Sequence, residues 1–178
     1  IVAWPAGDAT GRRWSAPAQA EAEQQSGGQE ESHGAAAAAA RAAGGTAATL
    51  AATAGSDVDG DGDLDVVAIS KATNAVSVVL GNGAGAFAPG APVKTLGRNT
   101  IDVVVADFNG DGDLDVATAN LSTNNISFFA GDGTGALGAV ARFATGVQPS
   151  SLAAADLNND GKLDLAVSNA VSRFVTVL

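Results

Sequence analysis

Nine residues, Asp57-Val-Asp-Gly-Asp-Gly-Asp-Leu-Asp65, set five carboxylates almost side by side. The pattern returns as Asp107-Phe-Asn-Gly-Asp-Gly-Asp-Leu-Asp115 and as Asp156-Leu-Asn-Asn-Asp-Gly-Lys-Leu-Asp164, with starts 50 and 49 residues apart. A second motif recurs in the same phase, Leu80-Gly-Asn-Gly-Ala-Gly-Ala-Phe87 and Ala130-Gly-Asp-Gly-Thr-Gly-Ala-Leu137. Two motifs in one register make the chain a tandem array. A unit of this size buries its apolar faces only by stacking on its neighbours.

Within each copy the periodicity is that of strands. Leu64 to Ser70, Leu114 to Asn120 and Leu163 to Asn169 follow the acidic segments as β-rich runs. Short polar turns such as Ser122-Thr-Asn-Asn125 lead to second runs at Val76 to Leu80, Ile126 to Ala130 and Phe174 to Leu178. A strand precedes each acidic segment, as at Ile101 to Ala106 and Ser151 to Ala155. A fourth is expected after the glycine motif, at Pro92 to Leu96 and Val140 to Phe143. Four short strands in about 50 residues is the period of a propeller blade. The fold expected is therefore all-β, a β-propeller of four-stranded blades present as an incomplete segment of about three.

The copies divide the chain into blades at 46–96, 97–145 and 146–178. Val175-Thr-Val-Leu178 aligns with Ser77-Val-Val-Leu80, so the third blade is incomplete. Gly7-Asp-Ala-Thr-Gly-Arg-Arg-Trp14 resembles Gly131 to Leu137 with one insertion, which makes 1–17 the second half of a degenerate blade. Residues 18–45 are low in complexity, with an acidic and glutamine-rich run from Glu21 to Glu31 and alanines from Ala35 to Ala40. They read as a linker with a frayed helix, or as a binding insertion. The first residue is Ile, as in a processed chain or a fragment.

Crowded carboxylates repel one another unless a cation lies among them. Calcium takes six to eight oxygens, and alternate residues of a tight loop supply them. Positions 1, 3, 5 and 9 carry donors in all three copies: Asp57, Asp59, Asp61 and Asp65; Asp107, Asn109, Asp111 and Asp115; Asp156, Asn158, Asp160 and Asp164. Position 6 is Gly62, Gly112 and Gly161, where the loop turns sharply. Position 7 is Asp63, Asp113 and then Lys162. Because a lysine side chain cannot ligate a cation, position 7 is assigned a backbone-carbonyl role. Leu64, Leu114 and Leu163 are expected to plug the loops into the core. A helical calcium hand requires Glu at position 12, where these copies have Ala68, Thr118 and Val167. Magnesium, which seldom uses an all-protein cage, fits less well. About three Ca²⁺ ions are expected, one per loop.

Asp107-Phe-Asn-Gly-Asp-Gly-Asp-Leu-Asp-Val-Ala, followed by Asn125-Ile-Ser-Phe-Phe-Ala-Gly-Asp-Gly-Thr-Gly, resembles the FG-GAP/VCBS repeats of bacterial extracellular proteins. These are similar to the calcium-loop blades of the integrin α-subunit propeller. The resemblance covers Thr46 to Leu178, and Ile1 to Trp14 weakly. It implies a β-propeller with calcium in the loop joining the first two strands of a blade. Integrin blades carry Gly-Ala-Pro after the strand that follows the loop; this chain has Ala119-Asn-Leu121 there and its Gly90-Ala-Pro92 elsewhere. The bacterial type is the nearer match, and it implies a secreted or cell-surface protein.

Composition narrows the function. A net charge of −10 argues against nucleic acid and anionic membrane as partners. No apolar run approaches a membrane span of ~20 residues. With no cysteine, disulfides and cysteine nucleophiles are excluded. The single histidine, His33, lies in the low-complexity segment, which leaves no Ser/His/Asp arrangement. Cation-bound carboxylates are poor general acids, so no catalytic residue is assigned. The glycine motifs lack a following lysine and helix and read as inter-strand turns. Asn120-Leu-Ser122 and Asn125-Ile-Ser127 fit the glycosylation sequon. Trp4 and Trp14 suit a core, or stacking on a sugar. The expected function is non-catalytic extracellular binding or adhesion, with a protein or polysaccharide ligand and further blades of the same protein as partners. A lectin propeller and an accessory domain of a secreted enzyme are the alternatives.

Overall fold

The computed structural model describes residues 50–90 and 92–178. The half-blade expected at 1–17 and the segment 18–45, with Trp4, Trp14 and His33, lie outside the described residues. Among the described residues there are twelve strands and no helix. Three sheets form in chain order, each antiparallel throughout. The first holds β1 (Leu50–Ser56), β2 (Asp65–Ser70), β3 (Ala75–Gly81), β4 (Phe87–Pro89) and β5 (Val93–Lys94). The second holds β6 (Thr100–Ala106), β7 (Asp115–Asn120), β8 (Asn125–Gly131) and β9 (Leu137–Ala144). The third holds β10 (Pro149–Ala155), β11 (Asp164–Asn169) and β12 (Val175–Val177). Every acidic segment joins the first two strands of its sheet.

Successive side chains on a strand point to opposite faces, and the middle strands bury both. All six residues of β2 and of β7 are buried. Val116 and Phe129 of the second sheet pack with Val67, Ile69, Val76 and Val78 of the first. Ala117 and Ile126, on the opposite face, pack with Leu165 and Val167 of the third. Small side chains at Thr118 and Ala119 keep the two faces of the second sheet flat enough for its neighbours to approach. The first strands of successive sheets, β1, β6 and β10, also lie against one another. Across the last pair, the Leu152 N–H donates to Asp102 Oδ2 at 2.8 Å.

Polar links tie each sheet to the next. Asn74 adopts φ 49° and its Oδ1 accepts from the Asn99 N–H at 2.8 Å. Fifty residues on, Asn124 at φ 52° accepts from the Gln148 N–H at 2.9 Å. Asn tolerates this left-handed backbone better than most residues. Beneath the first link, the Thr100 hydroxyl donates to Asn120 Oδ1 at 2.8 Å, and Asn120 Nδ2 donates to Asn125 Oδ1 and Ser127 Oγ, both at 2.9 Å. Both sequon asparagines are thus buried and bonded to each other, an arrangement with no room for a glycan in the folded chain.

Three expectations need correction. The register Ala166↔Val177 corresponds to Val67↔Val78 and Ala117↔Phe128. Thr176 therefore occupies the place of Ser77, one residue away from the sequence alignment. Hydroxyls set this register: Ser127 accepts from the Leu96 N–H at 3.0 Å and Thr176 from the Gly146 N–H at 3.2 Å. The fourth strand of the first sheet begins at Phe87, not Pro92, and is broken into β4 and β5, since prolines at 89 and 92 offer no N–H to a ladder. Of the loop leucines, Leu114 reaches the core as expected and Leu64 does not. Leu64 is 72% exposed, Leu114 joins the core shared by the first two sheets, and Leu163 lines a cavity of about 200 Å³ between the second and third.

Gly97 runs directly beneath the buried Asn120 amide, and a Cβ there would overlap Cβ, Cγ and Nδ2 of that side chain. Gly97→Ala should cost about 1–3 kcal/mol by overpacking, read as a lowered midpoint in urea denaturation. An unchanged midpoint would mean that the asparagine network relaxes at no cost.

Candidate metal site

Each acidic loop wraps around its own first carboxylate. In the first loop, Asp57 accepts from the Gly60 N–H at 2.8 Å and the Gly62 N–H at 3.0 Å. The second repeats this, with Asp107 accepting from Gly110 at 2.6 Å and Gly112 at 3.0 Å. In the third, Asp156 accepts from Asp160 at 3.2 Å and Gly161 at 2.9 Å. Positions 3 and 5 each accept the N–H two residues on. The Asp61 N–H donates to Asp59 at 3.3 Å and the Asp63 N–H to Asp61 at 2.8 Å. The matching bonds run from Asp111 to Asn109 (2.8 Å), Asp113 to Asp111 (2.9 Å), Asp160 to Asn158 (2.8 Å) and Lys162 to Asp160 (2.9 Å). Position 4 is Gly60, Gly110 and Asn159, all at positive φ.

The first loop brings carboxylate oxygens of Asp57, Asp59 and Asp61 within 4.8 Å of one another. Partial desolvation raises the pKa of Asp59 above the ordinary aspartate value, and the charges of Asp61, Asp65 and Asp57 add to that. A raised folded-state pKa means that the ionised form of Asp59 opposes folding as pH climbs past the unfolded value; a cation among these oxygens reverses the sign. In the second loop an amide stands at position 3. Asn109 Nδ2 donates to Asp111 Oδ2 at 2.8 Å and lies 3.5 Å from Asp115 Oδ1.

Position 9 stands apart from the cluster. Asp65 and Asp115 are 1% and 0% exposed. Asp65 accepts from the Val58 N–H at 2.8 Å and from the Gly81 N–H, at the end of β3, at 2.7 Å. Asp115 accepts from Phe108 and Gly131, both at 3.0 Å, and from Asn109 at 3.3 Å. Asp164, half-buried, accepts from Leu157 at 2.9 Å. This carboxylate fastens the loop to the sheet whatever else it binds. Its burial left no mark in the motif, because the carboxylates of one loop look alike in a sequence. The glycine turn supplied the missing signal, since it recurs in phase with the loop.

The donor set matches a hard cation: carboxylate and amide oxygens only, with no nitrogen or sulfur ligand. In the first loop positions 1, 3 and 5 face one another, and the side chains of Asp63 and Asp113 lie against the glycine turns of their sheets.

Asp115→Asn replaces an acceptor oxygen with a donor that faces backbone N–H groups. In chelator it should destabilise by about 1–3 kcal/mol, the cost of a buried N–H left unsatisfied, while Asp113→Asn should change stability little. Denaturation of both variants in metal-free buffer checks this, and equal midpoints would remove the fastening role of Asp115.

The family model of the FG-GAP-like repeat matches residues 57–118 and, again, residues 107–167. Together the two matches span more than half of the chain and all three acidic loops. No curated protein matches the chain.

Proposed function

Because the chain belongs to the FG-GAP-like repeat family, we propose that its sheets are blades of a calcium-binding β-propeller that serves extracellular binding or adhesion without catalysis. The observation that carries the metal reading is the convergence of Asp57, Asp59 and Asp61 in a loop whose geometry recurs in the other two copies. Positions 1, 3, 5 and 9 would hold the ion through side chains, and position 7 through its carbonyl. Calcium supplies no redox or acid–base chemistry here. It neutralises charge and fixes the loop.

The blade reading draws support from face-to-face packing of successive sheets and from adjacent first strands. Leu157, Val175 and Val177 of the third sheet are each more than half exposed, as a face awaiting a further blade of the same protein would be. Val58 and Phe108, which stand at the place of Leu157 in the other loops, pack at the seams to the following sheets. A protein or polysaccharide of the extracellular space is the ligand class that suits such a scaffold.

Electrostatics give the ion its structural role. Three divalent ions would move the net charge from −10 to about −4. Binding in the range of extracellular modules, on the order of 10⁻⁴–10⁻³ M or somewhat tighter, should raise the melting temperature by several degrees over that in chelator. Identical melts on protein verified to hold metal would sink the structural role.

Single variants separate ligands from bystanders. Asp61→Ala removes a ligand oxygen and should weaken its loop far more than Asp63→Ala, which costs only nearby charge. Lys162→Asp should tighten the third loop. Calcium titrations decide this, and equal losses at Asp61 and Asp63 would overturn the carbonyl assignment at position 7.

A further inference from the structure

We propose that the glycine turn after the third strand of each of the first two sheets is a wall of the acidic loop, with Gly83 and Gly133 as positioning residues for the cation. The inference rests on the calcium reading above. In the first sheet the turn touches three consecutive loop residues, each through a different group. The Gly81 N–H donates to the position 9 carboxylate, Asp65 Oδ1, at 2.7 Å. The Gly81 backbone lies so close to the Leu64 carbonyl at position 8 that a Cβ would overlap the oxygen and come within 3.2 Å of the carbon. The position 7 carboxylate rests on Gly83, where a Cβ would meet Asp63 Cγ at 2.8 Å and Oδ2 at 2.9 Å.

The second sheet repeats all three contacts. Gly131 donates to Asp115 Oδ1 at 3.0 Å, a Cβ on Gly131 would overlap the Leu114 oxygen, and one on Gly133 would lie 3.0 Å from Asp113 Cγ. The turns are themselves braced. Asn82 Oδ1 accepts from the Ala84 and Ala86 N–H groups at 3.1 and 3.0 Å. Asp132 accepts from the Thr134 hydroxyl and N–H, which hold its carboxyl below the ordinary range. With its side chain resting on the turn, position 7 has only its carbonyl left to offer a cation. The turn thereby orients the half of the loop that carries no close carboxylate cluster of its own.

Gly83 has a matched control two residues away. Gly83 and Gly85 have φ +64° and +78°, so an alanine is strained at both, but nothing lies within 4 Å of a Cβ on Gly85. Calcium titration of the full chain, followed by NMR through the Gly62 amide that donates to Asp57 Oδ2, reports on the first loop alone. Gly83→Ala would push the Asp63 side chain, and with it the position 7 backbone. It should weaken that loop about tenfold or more, the usual effect of disturbing an outer-shell group, while Gly85→Ala keeps the parent affinity. Titration of Gly83→Ala alongside Gly85→Ala without a difference overturns the proposal. Should Gly83→Ala fail to fold, Asp63→Ala combined with Gly83→Ala removes the overlap. That double variant should bind like Asp63→Ala alone, and a tenfold deficit persisting in it overturns the proposal equally. A parent whose Gly62 resonance ignores calcium overturns the calcium reading and the inference together, whereas a binding parent with indifferent Gly83 overturns the inference only.

Discussion

A buried carboxylate that accepts backbone N–H groups from two directions underlies each of the first two sheets. Asp65 and Asp115 open β2 and β7, and each binds the second residue of its own loop and the glycine that ends the third strand. An ionised carboxylate away from water is costly unless hydrogen-bonded, so the loop and the strand end are locked together. The remaining acids are then held on a frame of hydrogen bonds, each of positions 1, 3 and 5 accepting an N–H of the loop itself. Repulsion among them opposes that frame. A cation bound among them, as proposed above, would lower that repulsion without breaking the N–H bonds.

From these fixed loops the seams between sheets follow. The second loop residue leaves the loop as an apolar knob, Val58 in the core of the first seam and Phe108 in that of the second. The leucine at position 8 comes to the same seam from the following sheet, as Leu114 and Leu163. Phe108 meets Phe128 edge to face, with ring centroids 6.1 Å apart, and both line the cavity with Leu163. One loop thus serves two interfaces, and this explains why Leu64, whose loop has no preceding sheet among the described residues, stands out in solvent.

Much of this was legible in the sequence because it repeats locally. The 50-residue period, the apolar run from Val66 to Ile69, and the glycine turns are signals within single strands and hairpins. The acidic loops joining first and second strands were readable for the same reason, with Lys162 marking position 7 as the odd one. Contacts between repeats were not readable. Asn74 reaches Asn99 and Asn124 reaches Gln148, pairs about 25 residues apart with no partner pattern of their own. The one trace available was the 50-residue offset between Asn74 and Asn124 themselves. Leu64 misled because a leucine among aspartates looks like an anchor for its own loop, whereas the seams are made of residues from two sheets and Leu64 has no preceding sheet among the described residues to meet. The alignment of β12 slipped by one because Val, Thr and Leu in a short run fix no register until hydroxyl partners are known.

Where the third repeat departs from the other two, it separates scaffold from site. Pro149 stands where Thr100 bonds Asn120, and the buried Oδ1 of Asn169 has no partner among the described residues. Arg173 takes the left-handed position of Asn74 and Asn124, at φ 58°, without an amide to pass to a following sheet. Asn159 replaces the glycine at position 4, and Lys162 the aspartate at position 7. All four changes fall on groups that link repeats, shape the backbone or face away from the cluster. Oxygen donors at positions 1, 3, 5 and 9 and the glycine at position 6 are untouched. Random drift in a surface loop would strike the acids as readily as their surroundings. A loop that loses its inter-sheet links yet keeps its ordered set of oxygens is what the proposed role as a hard-cation site calls for, since such a site needs those donors and not the links.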